Sequence, residues 1–223
     1  MQIAPLLQVG RGVTAIIGGG GKTTLMETLA EELAKKGRVI ITTTTHIRRP
    51  AQYETLLDAD RPAVSAALDR SGIVCVASQA ESGKLCAPRL SVQALSALAD
   101  YVLVEADGAK RLPLKAHASH EPVIPAEAQR VIVVIGIDGV GKKISETCHR
   151  SALYAQLAGA EESGVVTPQL AARVVKAEGY GDRIYINKVE SAADYEAAQA
   201  MANEFSCPVI AGSLHQGVYV CLH

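Results

Sequence analysis

One glycine-rich run has the residue types needed to bind phosphate. It consists of four glycines, a lysine and two threonines: Gly18, Gly19, Gly20, Gly21, Lys22, Thr23 and Thr24. Because glycine has no Cβ, its backbone N–H group can approach an anion closely and its φ can be positive. We expect Lys22 to place its ammonium group on the terminal phosphates of a nucleotide. Thr23 would offer its hydroxyl to Mg²⁺, and Thr24 would reach an inner phosphate.

The elements around this run place it at the start of a helix. Residues 13–17 are apolar and predict a short buried strand, and Leu25, Leu29 and Leu33 follow at helical spacing. Unpaired N–H groups and the positive end of the helix dipole favour a phosphate at such a start. The layout predicts a phosphate-binding loop for ATP or GTP, although Ile16 stands where the full pattern has another glycine. A glycine-rich turn with an incidental lysine is the alternative.

Two carboxylates follow a second apolar run. Residues 101–105 predict a buried strand, with Glu105 at its end and Asp107 two residues later. Alternation along a strand places these two side chains on the same side. In phosphate-loop NTPases a carboxylate in this position holds Mg²⁺, directly or through water. We therefore expect one of Glu105 and Asp107 to bind Mg²⁺ or its water shell and the other to position an attacking water. Lys22 would be a third catalytic residue. The pattern leaves open which carboxylate does which, and a simple Asp-Gly turn is the alternative.

A third polar group follows a late apolar run at residues 184–186. Asn187, Lys188 and Glu190 resemble the guanine-reading Asn-Lys-x-Asp motif of GTPases. In that motif the amide and the carboxylate contact the base, and the lysine stem packs on the ring. Glu190 stands where the motif has Asp, and its extra methylene moves the carboxylate. The motif therefore predicts nucleotide contacts here without choosing between ATP and GTP.

A segment rich in cations and histidines, residues 109–122, follows Asp107 directly. Such residues suit an anionic substrate or a transferred phosphoryl group. An exposed loop and a histidine metal site are the alternatives. A further candidate, His46, follows the threonine-rich residues 42–45. The candidate substrate contacts are therefore His46, Lys110, Arg111, His117 and His120.

Composition and the order of elements predict the fold class. The 223 residues include no Trp and one Phe, so the core must consist of Val, Ile, Leu and Ala, as in a parallel sheet covered by helices. Predicted strands and helices alternate, including helices at residues 51–57 and 62–68. This order predicts an α/β protein with a three-layer, P-loop NTPase-like fold, a mostly parallel sheet and helices on both faces. We expect one nucleotide-binding domain over residues 1–223, with a small excursion around residues 52–90.

Charge and hydropathy argue against two classes of partner. The formal net charge is −1 and there is no long basic run, so nucleic acid is not an expected partner. No apolar run approaches the roughly 20 residues that span a bilayer, so we expect no membrane contact. The five cysteines are scattered, which favours a reduced, cytoplasmic setting over a disulfide framework.

Five stretches taken together resemble the YqeC family: residues 18–24, 42–46, 104–110, 148–150 and 187–190. Proteins of this family are described as accessory proteins of selenium-dependent molybdenum hydroxylases. The resemblance implies a role in preparing or inserting a selenium- or molybdenum-containing cofactor. It also implies a molybdenum hydroxylase or a cofactor-handling enzyme as a partner.

Three functions remain open on these observations. The first is a Mg²⁺-dependent ATPase or GTPase that assists maturation of a metalloenzyme. The second is a small-molecule kinase or phosphate-activating ligase, in which residues 110–120 hold the acceptor. The third is a chaperone that binds nucleotide without turnover and associates with its partner in a nucleotide-dependent way.

Overall fold

The computed structural model describes residues 1–80 and 83–222. The strands of this part of the chain are β1 (Gly12–Gly18), β2 (Val39–Thr43), β3 (His46–Ile47), β4 (Glu54–Leu57), β5 (Ile73–Gln79), β6 (Leu85–Cys86), β7 (Tyr101–Glu105), β8 (Leu114–Lys115), β9 (Ala128–Gly136), β10 (Cys148–His149), β11 (Arg183–Asn187), β12 (Val209–Ser213) and β13 (Val218–Cys221). Its α-helices are α1 (Ile3–Leu6), α2 (Lys22–Leu33), α3 (Arg61–Ser71), α4 (Val92–Ser96), α5 (Ile144–Thr147), α6 (Ser151–Ala158), α7 (Pro168–Glu178) and α8 (Ala192–Ala202), and Ile137–Gly139 form a 3-10 turn. None of the helices in these ranges is long and apolar enough to cross a bilayer.

One large sheet dominates the molecule, with β1 near its centre. Its strand order is β13-β12-β11-β9-β1-β7-β2-β5-β6-β3, and β4 pairs with β5 outside this path. The strands from β12 to β5 run parallel, whereas β13, β6 and β3 are antiparallel to their neighbours. In the register, Ala15 of β1 lies beside Val104 of β7 and Val131 of β9. The predicted α/β fold with a mostly parallel sheet is therefore confirmed.

Helices cover both faces of the sheet. Ile16 of β1 packs in one buried cluster with Leu25 and Leu29 of α2, whereas its neighbours Ala15 and Ile17 belong to a cluster on the other face. That second cluster contains buried side chains of α6, α7 and α8. Because successive strand residues point to opposite faces, β1 is buried on both sides. This arrangement confirms the three layers expected from the sequence.

The helix predicted over residues 51–57 is wrong, because Glu54–Leu57 form strand β4. β4 lies parallel to β5, with Leu56 beside Val76. Leu56 also packs against the cluster that contains Val76 and Val64. The free edge of β5 supplies backbone partners and an apolar surface, and this tertiary setting overrides a weak local helix preference. Strand β13, beyond the last strand predicted from the sequence, pairs antiparallel with β12 at the opposite edge.

The topology brings the polar ends of several strands to one edge of the sheet. Gly18 ends β1, Glu105 ends the adjacent β7, and Thr43 ends β2. On the other side of β1, Asn187 ends β11. Ligands of open α/β sheets bind at this carboxyl edge, and the sequence-predicted residues meet there.

Candidate functional site

The phosphate-binding loop lies between β1 and α2, and its amides fall into two groups. The N–H of Gly19 donates to the carbonyl of Val134 at 2.9 Å, and the N–H of Gly20 donates to the carbonyl of Leu112 at 3.1 Å. These bonds hold the loop against the rest of the protein. Within residues 1–80 and 83–222, the four following amides, at residues 21–24, have no hydrogen-bond partner. They stand at the first turn of α2, where the helix dipole favours an anion.

Close backbone packing explains why this loop consists of glycines. Gly18 and Gly21 have φ of +97° and +133°, values that residues with side chains rarely adopt. A Cβ on Gly18 would lie 2.3 Å from the carbonyl oxygen of Val134, and one on Gly21 would lie 2.3 Å from Nδ2 of Asn187. Any side chain at either position would therefore displace the loop.

Asp107 is the fully buried centre of an ionic network beneath the loop. Its Oδ1 lies 3.1 Å from Nζ of Lys22. Its Oδ2 accepts the N–H of Gly18 at 2.9 Å and lies 3.0 Å from Nζ of Lys115 and 2.7 Å from Nε2 of His117. Although burial favours the neutral acid, the Lys22 ammonium and the His117 hydrogen bond hold the pKa of Asp107 well below its usual range. The Asp107 carboxylate therefore fixes the loop from below.

His117 links this network to helix α7. Its Nδ1 lies 2.8 Å from Oε2 of Glu178, and its backbone N–H donates to Oε1 of the same residue at 2.6 Å. Burial opposes a charge on the ring, but the hydrogen bonds to Asp107 and Glu178 outweigh it and raise the pKa of His117. Because both ring nitrogens face carboxylates, the protonated ring donates to each. His117 thus connects Glu178 of α7 to Asp107 within the protein interior.

Glu105 forms a second and more accessible arrangement with Thr23. The Thr23 hydroxyl donates to Oε2 of Glu105 at 3.1 Å, and Oε1 lies 3.7 Å from Nζ of Lys22. Burial raises the pKa of Glu105, and Lys22 opposes this effect. Thr23 and Glu105 both line the large cavity, whereas Asp107 does not. The two carboxylates that the sequence left equivalent are therefore distinct in the structure.

The cavity above the loop has a volume of about 970 Å³. Residues 20–24 of the loop form one wall, and Glu105 and Glu121 are its acidic lining residues. Its lining cations are Lys22, Arg48, Lys84, Lys110, Arg111, Arg150 and Lys188. Such an excess of positive charge attracts anions.

Of the five predicted substrate contacts, the structure brings three to this cavity: His46, Lys110 and Arg111. His117 lies in the buried network, and Nε2 of His120 is 3.2 Å from a guanidinium nitrogen of Arg150. Neither of these two histidines is among the lining residues.

Two contributors come from segments that the sequence patterns did not mark. Lys84 reaches the cavity from the residue before β6, and Glu178 reaches His117 from the last residue of α7. Each stands alone in an ordinary stretch of chain, so no motif could have indicated it.

Asn187 supports the phosphate-binding loop from the side of β11. Its Nδ2 donates to the carbonyl of Gly20 at 2.8 Å. Its Oδ1 accepts from the Tyr185 hydroxyl at 3.1 Å and from the N–H of Leu214 at 3.2 Å. The side chain is almost fully buried, so its first structural role is to hold the loop.

The two other residues of the predicted base motif also have protein partners. Nζ of Lys188 lies 2.8 Å from Oδ2 of Asp138, and Oε1 of Glu190 accepts from the Ser213 hydroxyl at 2.7 Å. Glu190 is otherwise exposed, and Lys188 lines the cavity. These groups stand beside the loop, at the end of the cavity formed by β11.

Comparison with known sequences identifies the family of the chain that carries this site. The sequence profile described as "YqeC protein" matches residues 14–152, which include the loop, both carboxylates and the cation-rich segment. The chain belongs to the YqeC family. It is 38% identical over 157 residues to "Uncharacterized protein YqeC" of Escherichia coli (strain K12), a match covering 66% of this chain and 60% of that YqeC protein. The matched part of the chain thus spans less than two thirds of the length of its YqeC relative.

Proposed function

We propose that this YqeC protein binds a nucleoside triphosphate with Mg²⁺ and hydrolyses it. The observation that carries the proposal is the row of four unpartnered amides at residues 21–24, which opens into a cation-lined cavity. Phosphate oxygens are the acceptors that such a row at a helix start suits best. A Cβ on any of the loop glycines would clash with a neighbouring atom, so the concave backbone surface depends on glycine at these positions.

Lys22 is placed to move between two partners. With no phosphate bound, its ammonium group donates to the Gly18 carbonyl at 2.7 Å and pairs with Asp107. Two further cations, Lys115 and His117, stay on the same carboxylate when Lys22 turns away. Because Asp107 remains neutralised, Lys22 is able to neutralise charge on a terminal phosphate without leaving a bare buried carboxylate.

Thr23 and Glu105 are the residues that fit Mg²⁺. Hydroxyl and carboxylate oxygens are ligands that this hard cation prefers, and nucleotide phosphates complete its coordination in related sites. When bound, the ion supplies charge neutralisation on the transferred phosphoryl group. Glu105 would also orient an attacking water, since of the two carboxylates at the end of β7 it is the one that lines the cavity.

Loss of the Thr23 hydroxyl should weaken the response to Mg²⁺. We expect Thr23→Ala to lower Mg²⁺-dependent turnover by about 10- to 100-fold, the usual cost of removing a group that supports a metal. Thr23→Ser keeps the hydroxyl and should retain most of the activity. The measurement is phosphate release as a function of Mg²⁺ concentration. Equal Mg²⁺ dependence in the alanine variant and the native protein would remove Thr23 from the metal site.

The contacts of Asn187 give an expectation about the choice of base. Asn187→Ala removes the hydrogen bond to the Gly20 carbonyl and loosens the loop. We expect affinity for ATP and GTP to fall by similar factors, about tenfold, because the loop serves both nucleotides. A loss confined to GTP would instead assign Asn187 to reading guanine. Isothermal titration with non-hydrolysable analogues of both nucleotides separates the two outcomes.

Two measurements test the proposed function itself. The first is binding of ATP and GTP with Mg²⁺, and the second is release of phosphate by the protein alone. Binding with turnover supports an NTPase. Binding with turnover only after addition of a small acceptor supports a kinase or ligase, and binding without turnover supports a nucleotide-gated chaperone. If the protein binds neither ATP nor GTP, all three candidate functions are refuted.

The pathway comes from the family resemblance and not from the geometry. We infer that nucleotide use serves maturation or cofactor insertion of selenium-dependent molybdenum hydroxylases, with a hydroxylase or a cofactor-handling enzyme as the partner. Nucleotide-dependent association between the purified protein and such an enzyme would support this role.

A further inference from the structure

Part of the cavity is lined by cations that do not belong to the phosphate-binding loop. Within residues 1–80 and 83–222, four of these side chains form neither a hydrogen bond nor an ion pair. We call them the cation cluster: Arg48, Lys84, Lys110 and Arg111. Like charges that share one cavity repel each other, and a bound anion offsets this repulsion. All four residues are exposed, and their charges favour the binding of an anion.

Glu121, one of the two acidic lining residues, forms its ion pairs outside this cluster. Oε2 of Glu121 lies 2.6 Å from Nζ of Lys115 and 2.6 Å from a guanidinium nitrogen of Arg150. Burial acts against its charge, but these two cations lower the pKa of Glu121 to about 2. Its single negative charge is thus already shared between two partners outside the cluster.

Two residues of the cluster, Lys110 and Arg111, have strained backbone conformations, and so do two other lining cations. Six non-glycine residues in the described part of the chain have positive φ, and four of them are cations that line this cavity. Their φ values are 47° at Lys110, 64° at Arg111, 59° at Arg150 and 66° at Lys188. Residues held in this region concentrate at ligand-binding and catalytic sites. The strain indicates that the chain places these charges for a ligand.

The strand order places two of the four cluster residues, Arg48 and Lys84, away from the predicted base position, whereas Lys110 and Arg111 follow β7, the neighbour of β1. Lys84 precedes β6 and Arg48 follows β3, at the end of the sheet opposite to β11. With strands about 4.8 Å apart, β6 is roughly 19 Å from β1 on one side and β11 is roughly 10 Å from it on the other. A nucleotide whose phosphates lie on the loop and whose base lies toward Asn187 leaves the β6 side of the cavity open.

We propose that the cation cluster binds a second substrate, a small molecule with a multiply charged phosphate group, beside the terminal phosphate of the nucleotide. This inference rests on the proposed function, since it takes the loop as the nucleotide site. A single carboxylate would leave most of the cluster uncompensated, whereas a phosphate ester carries up to two negative charges. The guanidinium groups of Arg48 and Arg111 also match phosphate oxygens in pairs.

His149 is a titratable residue in the same part of the cavity. It lines the cavity next to Arg150. Burial, together with Arg150, Lys115 and Lys110, lowers the pKa of His149 to about 4. The imidazole is therefore neutral at neutral pH and adds no charge of its own to the cluster.

The test uses a double variant that removes charge and keeps the backbone. Lys110→Asn with Arg111→Asn is suitable, because asparagine tolerates positive φ better than alanine does. The matched control is Lys35→Asn with Lys36→Asn, two adjacent exposed lysines after α2, at the opposite edge of the sheet. Inorganic phosphate, and citrate as a polycarboxylate, are titrated calorimetrically into each protein after saturation with Mg²⁺ and a non-hydrolysable triphosphate.

We expect phosphate to bind the nucleotide-loaded native protein and the control pair. The Lys110 and Arg111 double variant should bind phosphate at least about tenfold more weakly, with nucleotide affinity within about twofold of native. Tighter binding of citrate than of phosphate would overturn the choice of phosphate chemistry. Absence of any phosphate binding to the loaded protein, or an unchanged affinity in the double variant, would overturn the second site.

The same titrations separate this inference from the proposed function. If nucleotide and phosphate compete for one site, the loop binds nucleotide and the second site does not exist. If the native protein binds no nucleotide, the proposed function itself fails. Simultaneous binding of both, with only phosphate lost in the double variant, supports the two proposals together.

Discussion

Lys22→Ala should lose about 100-fold in affinity for both ATP and GTP, because it removes a charge-assisted contact worth about 3 kcal/mol. The ammonium group stands at the start of α2, 2.7 Å from the Gly18 carbonyl, directly beside the four unpartnered amides. Phosphate release should fall further, since Lys22 would also neutralise charge that develops during phosphoryl transfer. Calorimetric titration with non-hydrolysable triphosphates and a phosphate-release assay measure the two effects.

The control for this variant must separate binding from folding. Lys22 is almost fully buried and pairs with Asp107, so its loss also disturbs the ionic network. Thermal unfolding and circular dichroism establish that the variant is folded at the assay temperature. Lys36→Ala removes an exposed lysine after α2 and should leave affinity unchanged. A folded Lys22→Ala protein with native triphosphate affinity would refute phosphate binding by the loop.

Asp107→Asn should have the largest effect on stability, a loss of about 3–5 kcal/mol in the free energy of unfolding. The substitution keeps the shape of the side chain but removes the negative charge shared by Lys22, Lys115 and His117. These three cations are themselves almost fully buried, so they would remain without adequate compensation. Urea unfolding at pH 7 measures the difference.

The pH dependence of that difference follows from the depressed pKa of Asp107. A carboxylate whose pKa is lower in the folded state stabilises the protein above its unfolded pKa, and this contribution is lost as pH falls through the folded value. The gap between native protein and Asp107→Asn should therefore narrow as pH falls below about 4. On the alkaline side it should also shrink as His117, whose pKa Asp107 raises, loses its proton. As a control, Asp69→Asn alters an exposed carboxylate 3.5 Å from Arg38 and should cost less than about 1 kcal/mol. A gap that widens between about pH 5 and pH 3 would contradict the ionic role of Asp107.

The phosphate-binding loop could be predicted from the sequence because its determinants are local. Glycines, a lysine and a threonine at fixed spacing specify a strand-to-helix turn wherever they stand between an apolar run and a helical pattern. The structure adds a division that spacing does not contain: the amides of Gly19 and Gly20 are used internally, and those of residues 21–24 are not. This division depends on Val134 and Leu112, more than 90 residues away in sequence.

The different positions of Glu105 and Asp107 could not be predicted for a similar reason. Glu105 ends β7 and Asp107 follows it two residues later, so alternation alone makes them equivalent. Asp107 is buried because Lys115, His117 and Glu178 converge beneath the loop, and Glu178 comes from the end of a distant helix. Long-range packing, and not the local pattern, assigns one carboxylate to the network and the other to the cavity.

The segment before β5 shows the opposite failure, in which a local pattern gave the wrong element. Residues 51–57 have a weak helical preference, but the open edge of β5 converts Glu54–Leu57 into a strand. The antiparallel pair of β6 and β3 then carries Lys84 and Arg48 to the cavity. The cation cluster therefore depends on a strand arrangement that single-sequence patterns do not reveal.

A crystal structure with Mg²⁺ and a non-hydrolysable ATP or GTP analogue tests the central claim most directly. We expect phosphate oxygens within hydrogen-bonding distance of the N–H groups of residues 21–24, with the Lys22 ammonium turned from Asp107 to the terminal phosphate. We also expect Mg²⁺ beside Thr23 and Glu105. Nucleotide bound elsewhere, with Lys22 still on Asp107 and the four amides unpaired, would contradict the assignment of this loop as the phosphate site.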